Sequence, residues 1–274
     1  MKRLSLSLLT LLTSVGLSAN EAEKMPLTAE DLTKIQQVSQ VLVSPDGDSV
    51  AFTRSVPREL YVEKDGLNWT ELFLVDDKGQ ERPFITGKVN VKRLSWSADG
   101  NTIYFLAKLK DDKFTALYQI PRNGGEAQKV LALKGTNINH YRLSEDNQQI
   151  ALLAKPKKEK SEKKLKELGF KAEVYEEDLK NQYLYIVPLE ANKKAIEPEA
   201  WKVEGYVSDV QFGPMGQKLL VKTQPTALID DRYMKSQWSL YDMNQQRLST
   251  FKTEGKLGGA EFSYNGEYVA ILGA

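Results

Sequence analysis

The chain has 274 residues, 41% hydrophobic and 27% charged, which is enough apolar material for one large all-β domain or two ordinary ones. Lys and Arg number 38 against 37 Asp and Glu, so no global field draws the chain toward nucleic acid or an anionic membrane. Cysteine is absent and His occurs once, which excludes disulfides, thiolate metal sites and the usual zinc ligand sets.

Lys2 and Arg3 form a basic start, Leu4 to Leu17 is an apolar run, and the small residues Ser18 and Ala19 follow. This layout predicts a secretory signal peptide over residues 1–19, and hence a periplasmic or secreted protein. The run falls short of the ~20 residues that span a bilayer, so no membrane span is expected. Residues 20–36 read as an N-terminal arm with a short helix, for which Thr28 is a suitable N-cap.

From residue 37 to 274 one pattern recurs: an apolar run, a tight polar turn, a second apolar run. The turns are Ser44-Pro45-Asp46-Gly47, Ser97-Ala98-Asp99-Gly100, Ser144-Glu145-Asp146-Asn147, Gly213-Pro214-Met215-Gly216 and Ser263-Tyr264-Asn265-Gly266. Ser opens such a turn with a side-chain hydrogen bond, Pro presets φ at the next place, and the last place wants a positive φ, which Gly supplies. Asn147 stands for Gly in the third copy and tolerates the same conformation. Gly47, Gly100, Asn147, Gly216 and Gly266 are spaced by 53, 47, 69 and 50 residues, a blade-like period.

A second hairpin follows within each period. Leu72 to Val75 and Pro83 to Ile85 flank Asp76-Asp77-Lys78-Gly79; Ala116 to Ile120 and Lys129 to Leu133 flank Asn123-Gly124-Gly125. Tyr183 to Leu189 and Trp238 to Tyr241 open the next two. Two hairpins make a four-stranded blade. The fold class predicted is therefore all-β: a β-propeller of four-stranded antiparallel blades, with about four and a half blades in an incomplete ring. The runs Ile103 to Ala107 and Ile150 to Ala154 are apolar at consecutive positions, as strands buried on both faces are. The long third spacing comes from a charged helical insertion over 155–180, in which Glu159/Lys163, Glu162/Lys166 and Glu167/Lys171 stand in the favourable i,i+4 order and Gly169 can end the helix.

No catalytic residue is expected in the chain. A G-x-S-x-G nucleophile elbow is missing, and His140, entering the third blade, reads as a hydrogen-bonded structural residue. No phosphate-binding loop opens a helix, Asp230-Asp231 reads as a turn or rim pair, and neither metal nor cofactor is predicted. The lysines of the insertion are interrupted by acids and lack aromatic platforms, so nucleic acid is not an expected partner.

Leu27-Thr28-Ala29-Glu30-Asp31-Leu32, Val38-Ser39, Val43 to Gly47 and Val50-Ala51-Phe52 together resemble the start of bacterial S9 (prolyl oligopeptidase) serine peptidases of the acylaminoacyl-peptidase and dipeptidyl-peptidase type. Pro225 to Asp231 and Leu240-Tyr241-Asp242 are similar to that family's propeller. The turn repeats alone are shared with TolB-like propellers, so a non-enzymatic binding or scaffold propeller is the alternative. The S9 resemblance implies an N-terminal propeller that gates access for short peptides and contributes specificity, partnered by a C-terminal α/β-hydrolase domain that carries the Ser, Asp and His. Glu173-Val174-Tyr175-Glu176-Glu177 resembles the dipeptidyl-peptidase segment whose paired glutamates hold a substrate's amino terminus, which implies substrate binding by Glu176 and Glu177.

Overall fold

In the computed structural model, residues 26–172, 174, 176, 179–189 and 195–274 are described. The signal-peptide reading of residues 1–19 and the Glu177 assignment lie outside them. A four-residue helix α1 (Ala29–Leu32) comes first, closed by a capping box: the Thr28 hydroxyl oxygen accepts the Asp31 N–H, and the Asp31 carboxylate accepts the Thr28 N–H.

Strands then follow as antiparallel meanders. The first blade is β1 (Gln37–Val43), β2 (Ser49–Val56), β3 (Trp69–Asp76) and β4 (Glu81–Ile85), hydrogen-bonded in that order. The second is β5 (Lys92–Trp96), β6 (Thr102–Ala107), β7 (Ala116–Pro121) and β8 (Gln128–Leu133). The third holds β9 (Ile138–Leu143), β10 (Gln149–Ala154) and β11 (Tyr183–Pro188), with helix α2 (Lys160–Glu167) between the last two. A two-residue strand β12 (Ala195–Ile196) precedes the fourth blade: β13 (Tyr206–Phe212), β14 (Lys218–Gln224), β15 (Gln237–Asp242) and β16 (Arg247–Phe251), with helix α3 (Ile229–Met234) between β14 and β15. The hairpin β17 (Leu257–Phe262) and β18 (Val269–Gly273) begins a fifth sheet. The all-β propeller expectation is met.

The third blade departs from the expected four strands. β12 pairs in parallel with β8 of the second blade instead of extending its own sheet. The fourth position is taken by irregular chain that begins at Glu197-Pro198. Pro cannot donate to a ladder, so a single regular bond forms there, from the Trp201 N–H to the Leu184 carbonyl. Trp201 and Val203 still seat their side chains on Leu184, Val207 and Val210.

The core lies between sheets. Leu72, Leu74 and Ala51 of the first blade meet Val91, Ile103 and Phe105 of the second, while Leu106 and Leu117 meet Ile138, Ile150 and Leu152 of the third. Leu153 and Leu184 meet Val210 and Leu219, and Leu220 and Trp238 meet Leu257 and Phe262. Each such side chain contributes roughly 1.5–3 kcal/mol when fully buried. Polar pins cross the same seams. Trp96 Nε1 donates to the Leu42 carbonyl at 3.2 Å, Ser95 and Tyr141 hydroxyls meet at 2.7 Å, and Trp238 Nε1 donates to the Gly258 carbonyl at 3.1 Å.

The repeated turn joins the first two strands of each blade. Ser44 Oγ donates to Asp46 Oδ1 at 2.5 Å and accepts the Ser49 N–H at 3.0 Å, while Asp46 Oδ1 also accepts the Asp48 N–H. Ser97/Asp99, Ser144/Asp146 and Ser263/Asn265 repeat this wiring. The third residue is thus as structural as Ser or Gly, a role the pattern of turn residues did not reveal. Asp46 also pairs with Arg122, and together with the Ser44 hydroxyl this holds its carboxyl down at about 2. Gly47, Gly100, Gly216 and Gly266 all take positive φ, as does Asn147 at +54°. Replacing Asn147 by Gly is expected to leave stability within about 0.5 kcal/mol, whereas Asn147→Val, β-branched and forced into the left-handed region, is expected to lose about 1–2 kcal/mol in denaturant titration.

Candidate functional site

The meander order places the blade connections on two opposite rims. The serine turns, at one end of the strands, line up on one rim: a Cβ at Gly100 would meet Pro45, one at Gly216 would meet Ser144, and one at Gly266 would meet Pro214. The links between second and third strands (57–68, 108–115, 155–182 and 225–236) lie at the other end of the strands. This second rim carries most of the exposed apolar side chains outside the strands, among them Tyr61, Leu67, Phe170 and Ile229.

Two of these links are braced. Arg58 stacks over Trp69, 4.0 Å from its ring centroid, and donates to the Lys64 and Leu67 carbonyls, which holds up the loop bearing Leu60, Tyr61 and Val62. In the fourth blade the buried Asp231 carboxylate accepts the Thr226 N–H at 3.1 Å and its hydroxyl at 2.6 Å, and pairs with Lys235. The Lys235 and Thr226 contacts keep its pKa below the usual range, and Asp231 serves as a loop staple.

The insertion of the third blade occupies this same rim. Helix α2 ends at Gly169, φ +92°, with the Phe170 N–H bonded to the Leu165 carbonyl. Glu162 bridges to Lys180 across the insertion, which ties its two ends together. Glu176 is exposed, in a turn, with φ +63°. A left-handed non-glycine residue is the kind of local strain that functional loops tolerate. Its sequence neighbour Glu177 is outside the described residues.

A second set of polar residues lines the inner strands, the first strand of each blade (β1, β5, β9, β13 and β17). A cleft of about 370 Å³ runs between β5 and β9, walled by Gln40, Arg93, Trp96, His140, Arg142 and Leu143 among others. His140 is buried, with Nε2 3.8 Å from Asp209 Oδ1, and Arg142 lies 3.8 Å from the same oxygen. His140 Nδ1 is buried without a hydrogen-bond partner among the described residues, so the expectation of a fully hydrogen-bonded histidine is not met on that nitrogen. Burial is the main cause that lowers its pKa to about 4; Arg93 and Arg142 push the same way, against the weaker pull of Asp209 and the Tyr141 backbone. The ring is therefore neutral at pH 7.

The folded-state pKa lies below the unfolded value of about 6.5, so the neutral ring's contribution to stability is complete above pH 6.5 and is lost as pH falls toward 4. Between pH 7 and 4.5 this group should cost the native protein roughly 2–3 kcal/mol. His140→Gln, which cannot titrate, is expected to lose that much less over the same interval, as read by denaturant unfolding at the two pH values.

One feature of the inner strands leaves no mark in the sequence. Each carries a one-residue bulge at the same level, between Val38 and Gln40, Lys92 and Ser95, Ile138 and His140, Val207 and Asp209, and Leu257 and Ala260. Bulges re-aim the side chains beside them.

Residues 60–158 match the family model described as the dipeptidyl peptidase IV (DPP IV) N-terminal region. Over 108 residues, 39% of this chain and 16% of the relative, the sequence is 31% identical to the uncharacterized peptidase YuxL of Bacillus subtilis (strain 168). In fold, it is similar to an acylaminoacyl peptidase of Pyrococcus horikoshii, with a TM-score of 0.58 and 14% identity over 89% of this chain and 36% of that one. It also resembles a puromycin hydrolase, with a TM-score of 0.58 and 12% identity over 88% of this chain and 36% of that one. An acylaminoacyl peptidase in complex with Z-Gly-Gly-Phe-chloromethyl ketone gives a TM-score of 0.56 at 12% identity over 83% of this chain and 34% of that one. The chain thus spans about a third of the length of these solved structures. In sequence over residues 60–158, and in fold over most of its length, the chain is similar to the N-terminal propellers of S9 serine peptidases.

Proposed function

We propose that this chain is the propeller portion of an exported S9-type serine peptidase acting on short peptides. Its partner is a C-terminal α/β-hydrolase domain, which supplies the catalytic serine, aspartate and histidine. The propeller covers that domain's active site, limits the size of what enters, and contributes contacts that select the substrate. The observation that carries this reading is the match of residues 60–158 to the dipeptidyl peptidase IV N-terminal region. The apolar side chains of the second rim support it, because an interface between domains needs such anchors. Export rests on the composition of residues 1–19.

Within this reading Glu176 and Glu177 receive the substrate's amino terminus. A carboxylate holds an ammonium group by charge-assisted hydrogen bonds, and an exposed residue on the rim nearest the partner domain can reach one. In the complete enzyme, Glu176→Ala is expected to lower kcat/KM for peptides with a free amino terminus by about tenfold or more, and to change the value for N-acylated peptides much less. Equal losses on both substrate types would remove Glu176 from the site.

A further inference from the structure

The inner strand of the second blade differs from the others at its bulge. There Arg93 takes φ +56°, and its side chain forms no ion pair or hydrogen bond with any described residue. A left-handed arginine on a bulge is costly for a β-strand unless the side chain has a use in the direction it is aimed. It is aimed along the wall of the 370 Å³ cleft, with Arg142 and His140 on the facing strand.

The charges there do not balance. Arg142 shares Asp209 with Lys222, whose ammonium also feels that carboxylate, and Glu145, at the turn end of the cleft, accepts the Met215 N–H. Arg93 has no carboxylate of its own, and neutral His140 adds no charge. The buried, unpartnered Nδ1 of His140 adds a polar atom that is costly unless an outside group reaches it. Leu94, Trp96 and Leu143 give the cleft apolar walls.

We propose that this cleft binds a monoanionic carboxylate attached to an apolar body. Arg93 and Arg142 are the charged donors. A guanidinium suits this task because its planar fork matches the two carboxylate oxygens. Arg93, Arg142 and Lys222 against Asp209 and Glu145 leave an excess of one positive charge, which a monoanion neutralises and a dianionic phosphate would overshoot. The inference is independent of the role of Glu176, since it concerns a different charge on a different wall.

The test uses the full-length protein at pH 8 and isothermal titration, with N-acetyl-phenylalanine, its uncharged amide and inorganic phosphate, mostly dianionic at this pH, as probes. The acid is expected to bind at least about tenfold tighter than the amide. Arg93→Gln, at an exposed position whose loss does not threaten folding, is expected to weaken the acid by about tenfold; Arg142→Gln should do likewise, and Lys78→Gln, in the β3–β4 turn outside the cleft lining, should change nothing. Equal affinity for acid and amide, or an unchanged affinity in Arg93→Gln, would overturn the site. Phosphate binding tighter than the acid would overturn its assignment to a monoanion. Because every organic probe has a blocked amino terminus, failure here leaves the Glu176 reading standing, and the converse holds.

Discussion

Everything in this molecule depends on sheets burying their faces against other sheets. A four-stranded meander alone has two apolar faces and no way to cover either. Stacking side by side solves this for every inner seam, and it explains why the middle strands β6 and β10 are apolar at consecutive positions. The seams also set where polar groups may go. Trp96, Tyr141 and Trp238 sit in the seams because each can hand its single polar hydrogen, or share its hydroxyl, with the next blade.

The repeat was legible because its chemistry is restrictive. Few residues accept a positive φ, so Gly47, Gly100, Asn147, Gly216 and Gly266 announce the same turn five times, including the Asn exception. The acidic third residue was visible but unread. Its carboxylate gathers the serine hydroxyl and a backbone N–H, and nothing in composition separates that from an ordinary solvated acid. The missing fourth strand of the third blade was hidden for another reason. Seams are filled by side chains, and Trp201 and Val203 fill theirs from an irregular backbone as well as a strand would.

The site was less legible than the fold. The insertion reads as a helix with i,i+4 pairs, yet the contact that organises it runs from Glu162 to Lys180, across residues with no periodic relation. The inner-strand bulges are occupied by residues as different as Ser39, Arg93 and Asn139, because a bulge asks only for one extra residue. His140 looked structural and is buried as expected. Burial lowers its pKa, and the charges that modulate it, Arg93, Arg142 and Asp209, come from three separate blades. Such gatherings depend on the stacking of blades, which no single repeat records.

The separation of the two rims has a practical consequence. Within these 274 residues there is no cysteine, so one introduced in place of Lys78, exposed in the turn between β3 and β4, would be the sole thiol of the chain. That turn is closed by its own Asp76 hydrogen bonds and lies on the rim with the serine turns, away from α2, α3 and Glu176. A fluorophore there would report distance to a label on any domain seated against the opposite rim. The propeller thus offers a fixed reference frame for distance measurements that leaves the opposite rim untouched.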